Sequence, residues 1–311
     1  MRVLLAGASG ALGMPLIRQL HAAGHEVIAI HKFPGSRDRL AATGATPVQV
    51  DVLDREALLT ALAGQRADAV ISELSALKKT PIQHKDMALT NQLRIEGTAN
   101  LIAAARQLAA RRFLNQSMVF GYGYGDFNGR VLTEADPFGP PGRGRFEEHV
   151  GAMRDGEHQV FDADGLDGIA LRYGLLYGPG PASDVMVDSL RHRKLPVVKN
   201  SGVQPWAYID DAAAATAAAL ERGQPGAAYN IADDQPVSIT TLLTAMAQAI
   251  GAPPPRAVPG WLLTAVPYAK AVFVGGLRVS NAKAVAELNW VLKAPTYRDG
   301  MRLLAPHYSR K

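Results

Sequence analysis

The chain opens on a strand-turn-helix signal that leaves few folds open to it. Met1 to Leu5 supply the apolar run Val3-Leu4-Leu5, which predicts a buried strand. The turn Gly7-Ala8-Ser9-Gly10-Ala11-Leu12-Gly13 follows at once, and a helical pattern starts behind it. That helix runs to about Ala23, where Gly24 stops it in the position after the cap. Pro15 falls early in it, where a missing N–H is tolerated. A strand feeding a glycine turn and then a helix leaves unpaired backbone N–H groups at the positive helix end, a seat for a pyrophosphate. Only glycine lets the backbone turn this sharply and approach a ligand this closely. The strand before, the helix after and the N-terminal position separate the pattern from an ordinary glycine-rich loop. Its spacing is GxxGxxG rather than GxGxxG.

Strands follow at Glu26 to Ile30, Pro47 to Val52, Ala69 to Ser72, Arg112 to Ser117 and Ile169 to Arg172. Helices are expected from Asp54 to Leu62, over a long stretch from about Lys85 to Ala109, and from Phe146 to Phe161. This alternation predicts an α/β fold: a Rossmann doubly wound parallel sheet with helices on both faces. A smaller C-terminal α/β region for substrate is expected behind it. The dinucleotide-binding domain is placed at 1–173 and the substrate-binding region at 174–311, parts of the sheet being interleaved. In the second half, Asp210-Asp211 is expected to cap an alanine-rich helix over 212–220. Ser238 or Thr240 opens another helix that Gly251 closes, and Ser280 caps a third.

The residues after the second strand set cofactor choice. A fold of this kind that prefers NAD carries an acid there for the ribose 2′-hydroxyl. Here the run is His31-Lys32-Phe33-Pro34-Gly35-Ser36-Arg37, without an acid before Asp38. Lys32 and Arg37 are suited to a 2′-phosphate, so NADP is favoured, with NAD the alternative. Asp51 lies at the end of the third strand, where an adenine ring would pass.

Composition narrows the chemistry further. The 311 residues contain no cysteine, which excludes disulfides, thiolate nucleophiles and Cys-ligated metals. The start has no basic region followed by a long apolar stretch, so the cytoplasm is the expected compartment. Net charge is +5, but the basic residues are scattered, so no nucleic acid is expected as a partner. Trp261 to Leu277 is strongly apolar, yet it contains Pro267 and Lys270 and is short for a membrane span. It reads as a buried helix pair or as a flap over an apolar substrate, and no membrane partner is expected.

Several segments together resemble the extended short-chain dehydrogenase/reductases, the NAD-dependent epimerase/dehydratase family. The glycine turn looks like that family's cofactor turn. Arg94-Ile95-Glu96-Gly97-Thr98-Ala99-Asn100-Leu101 resembles its Asn-Val-x-Gly-Thr-x-Asn-Leu helix, with Arg94 in place of the asparagine. Leu132-Thr133-Glu134-Ala135-Asp136-Pro137 resembles its substrate loop, and Leu171-Arg172-Tyr173-Gly174 with Tyr177-Gly178-Pro179-Gly180 resembles the segment passing the nicotinamide. Ala207-Tyr208-Ile209-Asp210-Asp211, Tyr229-Asn230-Ile231 and Ser280-Asn281-Ala282-Lys283 carry the likeness to the C-terminal part. The resemblance implies cofactor contacts at Gly7, Ser9, Gly10, Ala11, Leu12, Gly13, Lys32, Arg37, Asp51, Val52, Leu74, Met153 and Tyr173. It also implies a small-molecule substrate. Members often dimerise through two long sheet-flanking helices, here about 85–109 and 146–161, so a homodimer is among the expectations.

The chain departs from the family at the chemistry. The family reaction uses a Ser or Thr and a Tyr-x-x-x-Lys pair, whose spacing sets both side chains on one helix face. The lysine cation lowers the tyrosine pKa, and the tyrosine exchanges a proton with substrate oxygen. None of the nine tyrosines has a lysine four residues on. The register falls on His149 and Met153 instead, which makes His149 the expected general acid/base. Ser117, at the end of the fifth strand, is the expected serine, although alignment on Tyr122-Gly123 puts Met118 in that slot; Tyr122 is a further catalytic candidate. No metal is expected, because His149 and Glu157 lie two helical turns, about 12 Å, apart. Three accounts follow: an oxidoreductase acting on a small apolar carbonyl or hydroxyl compound, an NAD(P)-retaining epimerase, dehydratase or isomerase, and a non-catalytic NADP-binding sensor.

Overall fold

Val3, Leu4 and Leu5 are completely buried, as a strand covered on both faces must be. In the computed structural model, which describes residues 1–77 and 80–308, they belong to β1 (Arg2–Ala6), an interior strand of a seven-stranded parallel sheet. Its other strands are β2 (Glu26–His31), β3 (Thr46–Gln49), β4 (Ala69–Ser72), β5 (Arg112–Met118), β6 (Asp167–Tyr173) and β7 (Ala228–Ile231). The order is β3-β2-β1-β4-β5-β6-β7, with Leu4 opposite Ile28 on one side and Val70 on the other. The strand order reverses between β1 and β4, and the crevice beyond their C-terminal ends is where such sheets take ligands. The expected Rossmann architecture is therefore the one found. The third strand is shorter than its sequence pattern.

Alternation along each strand divides the core into two layers. Val3, Leu5, Leu114 and Leu171 pack on α1 (Gly13–Ala22) and, across the later part of the chain, on the alanine-rich helix Ile209–Arg222. Leu4, Ala6 and Phe113 face the opposite way, toward Leu58, Leu101 and Val160. These come from helices Arg55–Ala61, Thr98–Gln107 and Glu147–Phe161. Leu190, Met246 and Leu304 build a third cluster from helices Pro181–Arg191, Ile239–Ala249 and Tyr297–Tyr308. Among the described residues no helix is long and apolar enough to cross a membrane.

Three local expectations change. The stretch 85–109 is one helical path but not one α-helix: a π turn, Leu93–Gly97, separates Ala88–Gln92 from Thr98–Gln107. Gly97 packs closely there: a Cβ on it would sit 3.1 Å from Leu74 Cδ1, so a side chain would have to push Leu74 aside. Asp211 does not cap the helix, which already begins at Ile209; its carboxylate accepts hydrogen bonds from the backbone N–H groups of Lys293 and Ala294, 2.9 and 2.8 Å away. The apolar stretch after Trp261 is not a buried pair. Its 3-10 turn Gly260–Ala265 leaves Trp261 70 % exposed, and only the following helix Pro267–Val274 buries Tyr268, Ala269 and Val272.

Candidate active site

The glycine turn is built as its sequence demands. Gly7 has φ +82°, and a Cβ on it would fall 2.2 Å from the carbonyl oxygen of Glu73. A Cβ on Gly13 would fall 2.4 Å from Ala8 O, so backbone occupies the space a side chain would need. Gly10 N–H donates to Gly7 O at 2.9 Å and tightens the turn. Gly10 and Ala11 are exposed, Ser9 is half-buried, and Leu12 anchors the helix start in the core. Val52 and Leu74 flank Gly97, and the Val52 carbonyl accepts from Asn100 Nδ2 at 2.9 Å. An exposed glycine turn at a helix N-terminus, in contact with the end of β4, fits a dinucleotide pyrophosphate.

The basic residues beyond β2 are arranged differently from expectation. Lys32 Nζ lies 2.6 Å from a carboxylate oxygen of Asp51, so this cation already has a counter-charge. Burial works against the Asp51 carboxylate, but the hydrogen bonds from Lys32 and the Leu53 N–H leave its pKa below the ordinary value. Arg37 is exposed at the start of the short helix Arg37–Ala41. Arg39, the third residue of that helix, donates from Nη2 to Ser9 O at 2.8 Å and so reaches the glycine turn itself. Sequence reasoning passed over Arg39; its signal was a second arginine two residues beyond Arg37.

His149 is completely buried on the helix Glu147–Phe161. Its Nδ1 lies 2.9 Å from Asn91 Nδ2 and its Nε2 lies 2.8 Å from His84 Nδ1. The amide donates to Nδ1, which assigns the ring proton to Nε2, facing His84. Arg94 Nη1 donates to Asn91 Oδ1 at 3.4 Å and agrees with that amide orientation. The His84 and His149 rings stack at 5.0 Å, and Tyr124, Phe146 and Tyr268 meet the His149 ring edge-on. Burial pushes the His149 pKa down to about 4; His84 and Arg94 add to the effect and Glu148 opposes it. The imidazole is therefore neutral at pH 7, with Nε2–H a hydrogen-bond donor, rather than titrating near 6.5. His84 is half-buried, and its own pKa is lowered by burial and by Arg145. Met153, one helical turn on from His149, sits in the same cluster, with Phe120, Tyr268 and Val272. Thus Tyr268 brings the helix after Trp261 directly onto His149, as a flap would. His84, Asn91 and Tyr268 carried no local motif and were not legible in the sequence.

The other candidates divide. Ser117 is 1 % exposed, and its Oγ has no hydrogen-bond partner among the described residues, which leaves it able to bond a ligand group. Tyr122 is committed elsewhere. Its hydroxyl donates to Asn230 Oδ1 and accepts from Arg172 Nη1, both at 2.9 Å. Arg172 in turn makes a buried bidentate pair with Glu157, so Tyr122 serves to tie β6 and β7 to the loop after β5. Tyr173 also turns away from the crevice. Its hydroxyl lies 2.8 Å from Glu73 Oε1 and 2.6 Å from Thr216 Oγ1, inside the core, so only its backbone can meet a cofactor. Burial raises the Glu73 pKa to about 8 against the effect of the Tyr173 hydroxyl.

A Streptomyces protein named 3-diazoavenalumate denitrifying reductase is 37 % identical over 97 % of this chain and 99 % of its own length. The 2-alkyl-3-oxoalkanoate reductase of Stenotrophomonas maltophilia is 29 % identical over 81 % of this chain and 77 % of its own. The structure of Thermus thermophilus UDP-glucose 4-epimerase, a complex with NAD, superposes with a TM-score of 0.80 at 25 % identity, covering 99 % of both chains. The profile of the NAD dependent epimerase/dehydratase family matches residues 3–232, and the chain belongs to that family.

Proposed function

We propose that this NAD(P)-dependent enzyme is a reductase that delivers hydride to a small, flat, largely apolar electrophile such as an aryl or alkyl ketone, with His149 as its proton donor. The observation that carries the reading is the neutral, buried His149, whose Nε2–H points at His84 within an aromatic cluster. The nicotinamide, when bound, supplies the hydride. The Gly7–Gly13 turn would hold its pyrophosphate, Val52 and Leu74 its adenosine side, and the orphaned Ser117 Oγ and the Tyr173 backbone its reactive end. Substrate oxygen replaces His84 Nδ1 beside His149 Nε2; the ring takes up a solvent proton by way of half-buried His84, gives one from its imidazolium form to substrate oxygen as the hydride arrives, and returns to neutral. Carbonyl carbon gains a hydride, carbonyl oxygen gains a proton, and the cofactor is oxidised, so the step balances.

NADP is the proposed form of the cofactor, through Lys32, Arg37 and the additional Arg39. Two relatives are named for reductions of small organic acids, a diazo compound and an oxoalkanoate, which supports a reductase over a sugar-nucleotide epimerase. The test is oxidation of NADPH by the pure protein across a panel of aryl and β-keto compounds. Consumption with at least one of them is expected. Tight calorimetric binding of UDP- or TDP-sugars with no turnover of any ketone would overturn the reading.

A further inference from the structure

Arg94 is a buried charge without a counter-charge. It lies in the π turn Leu93–Gly97, is 8 % exposed, and makes one long hydrogen bond, to Asn91 Oδ1. Among the described residues no carboxylate pairs with it. The groups that act on it electrostatically are the hydroxyls of Tyr124 and Tyr268, both kept neutral by burial. A guanidinium has five N–H donors, and among the described residues Arg94 meets one protein acceptor while none of its nitrogens is sealed off without a partner, so the rest of the fork is left to water or a ligand. The chain can do better: Arg172, equally buried, is held by both oxygens of Glu157 and by Tyr122. An uncompensated arginine retained beside the proposed proton donor calls for an anion that arrives from outside.

We infer that Arg94 is the receptor for a substrate carboxylate, so the substrate is a small unsaturated or aromatic acid. The inference rests on the reductase reading above and names its substrate class. The planar fork of the guanidinium matches a carboxylate in bidentate fashion. Asn91 bridges Arg94 to His149, so the carboxylate and the reacting atom lie within the span of one small molecule. The rings of Tyr124, Phe146 and Tyr268 pack on one another at 4.8 to 6.4 Å and against His149, so the side chains around the two groups are aromatic and suit a flat, apolar body. One buried cation suits one negative charge. A nucleoside diphosphate carries more charge and would need further cations inside this aromatic cluster.

The experiment is calorimetric titration of the NADP⁺-loaded protein with cinnamate, 5-phenylpenta-2,4-dienoate and octanoate, each against its primary amide. The acids are expected to bind roughly 10- to 100-fold more tightly than the amides. Arg94→Gln should bring the acid/amide ratio to near one, and Arg94→Lys should restore part of it, with NADP⁺ affinity unchanged in both. Equal binding of acid and amide to the parent protein, or no binding of any acid, would overturn the inference. So would a preserved ratio in Arg94→Gln, or lost NADP⁺ affinity with that ratio intact, which would give the guanidinium to the cofactor. UDP-glucose binding abolished by Arg94→Gln would give it to a diphosphate and overturn the inference equally. Arg94→Met in the cofactor-free protein is expected to keep or raise Tm, whereas a purely structural arginine would lower it. The two readings separate cleanly: reduction of ketones without acid preference sinks only the Arg94 assignment. Acid binding with no NADPH oxidation sinks only the reductase.

Discussion

His149 and Met153 make sense as one coupled change. Tyrosine needs a cation to bring its pKa within reach of neutral pH; an imidazole does not, and a cation beside it would oppose protonation. The structure nevertheless opposes protonation by other means: burial, His84 and the nearby Arg94 hold the ring neutral, so the proton it delivers is loaded during turnover rather than carried at rest. The cost appears in stability. Between pH 6.5 and about 4 the unfolded chain binds a proton at His149 that the folded chain does not, so stability falls as pH drops through that window. His149→Phe should flatten this acid limb by on the order of 2–3 kcal/mol in urea titrations at pH 7 and pH 4.5. An unchanged limb would show that the ring charges freely. Glu73 acts in the opposite direction. Its folded pKa near 8 stands above 4.5, so stability is full below pH 4.5 and is lost as pH rises toward 8. Glu73→Gln keeps the shape without the titration and should gain about 1–3 kcal/mol at pH 8 and little at pH 5. An equal gain at both would mean that ionisation is not the cause.

At the scale of elements, the glycine turn and the helix behind it were legible because every determinant is local. Gly7, Gly13 and Gly24 act within one βα unit, and Gly24 takes φ +78° behind a helix that ends at Ala22. A Gly7→Ala chain has no space for its Cβ, and loss of dinucleotide binding by calorimetry, with a lower Tm, is expected. The position of His149 was legible from register on its helix, but its surroundings were not. His84 and Asn91 stand 65 and 58 residues away, and neither periodicity nor spacing encodes a contact across that distance. The π turn at Leu93–Gly97 was hidden for another reason: its apolar spacing matches an α-helix, and only packing of Gly97 on Leu74 and Val52 reveals it. The basic side chains near the glycine turn were half legible. Lys32 is offset by Asp51, so Arg39 should matter as much as Arg37; alanine at both arginines is expected to cost roughly tenfold to a hundredfold of NADPH affinity and leave NADH binding unchanged. Equal NADPH and NADH affinity in the parent protein would contradict this.

Across the whole molecule, one buried network joins the sheet to the C-terminal part. Glu157 on the His149 helix holds Arg172 of β6, Arg172 and Asn230 of β7 share the Tyr122 hydroxyl, and Asn230 Nδ2 donates to the Ser280 carbonyl. Breaking such a pair on one side leaves a buried charge alone, so Glu157→Gln should cost about 3–5 kcal/mol in a denaturant titration. The network fixes the helix that carries His149 against the strands that end at the crevice, and the Tyr268 helix closes over it from the far end of the chain. Catalysis by this arrangement requires that the His149 proton be the one delivered. The most direct measurement is single-turnover oxidation of saturating NADPH by the parent protein and by His149→Phe, using any ketone the panel identifies, with NADPH affinity determined separately. A fall of about a hundredfold or more in the rate, with cofactor affinity intact, is the predicted result; equal rates in the two proteins would contradict it.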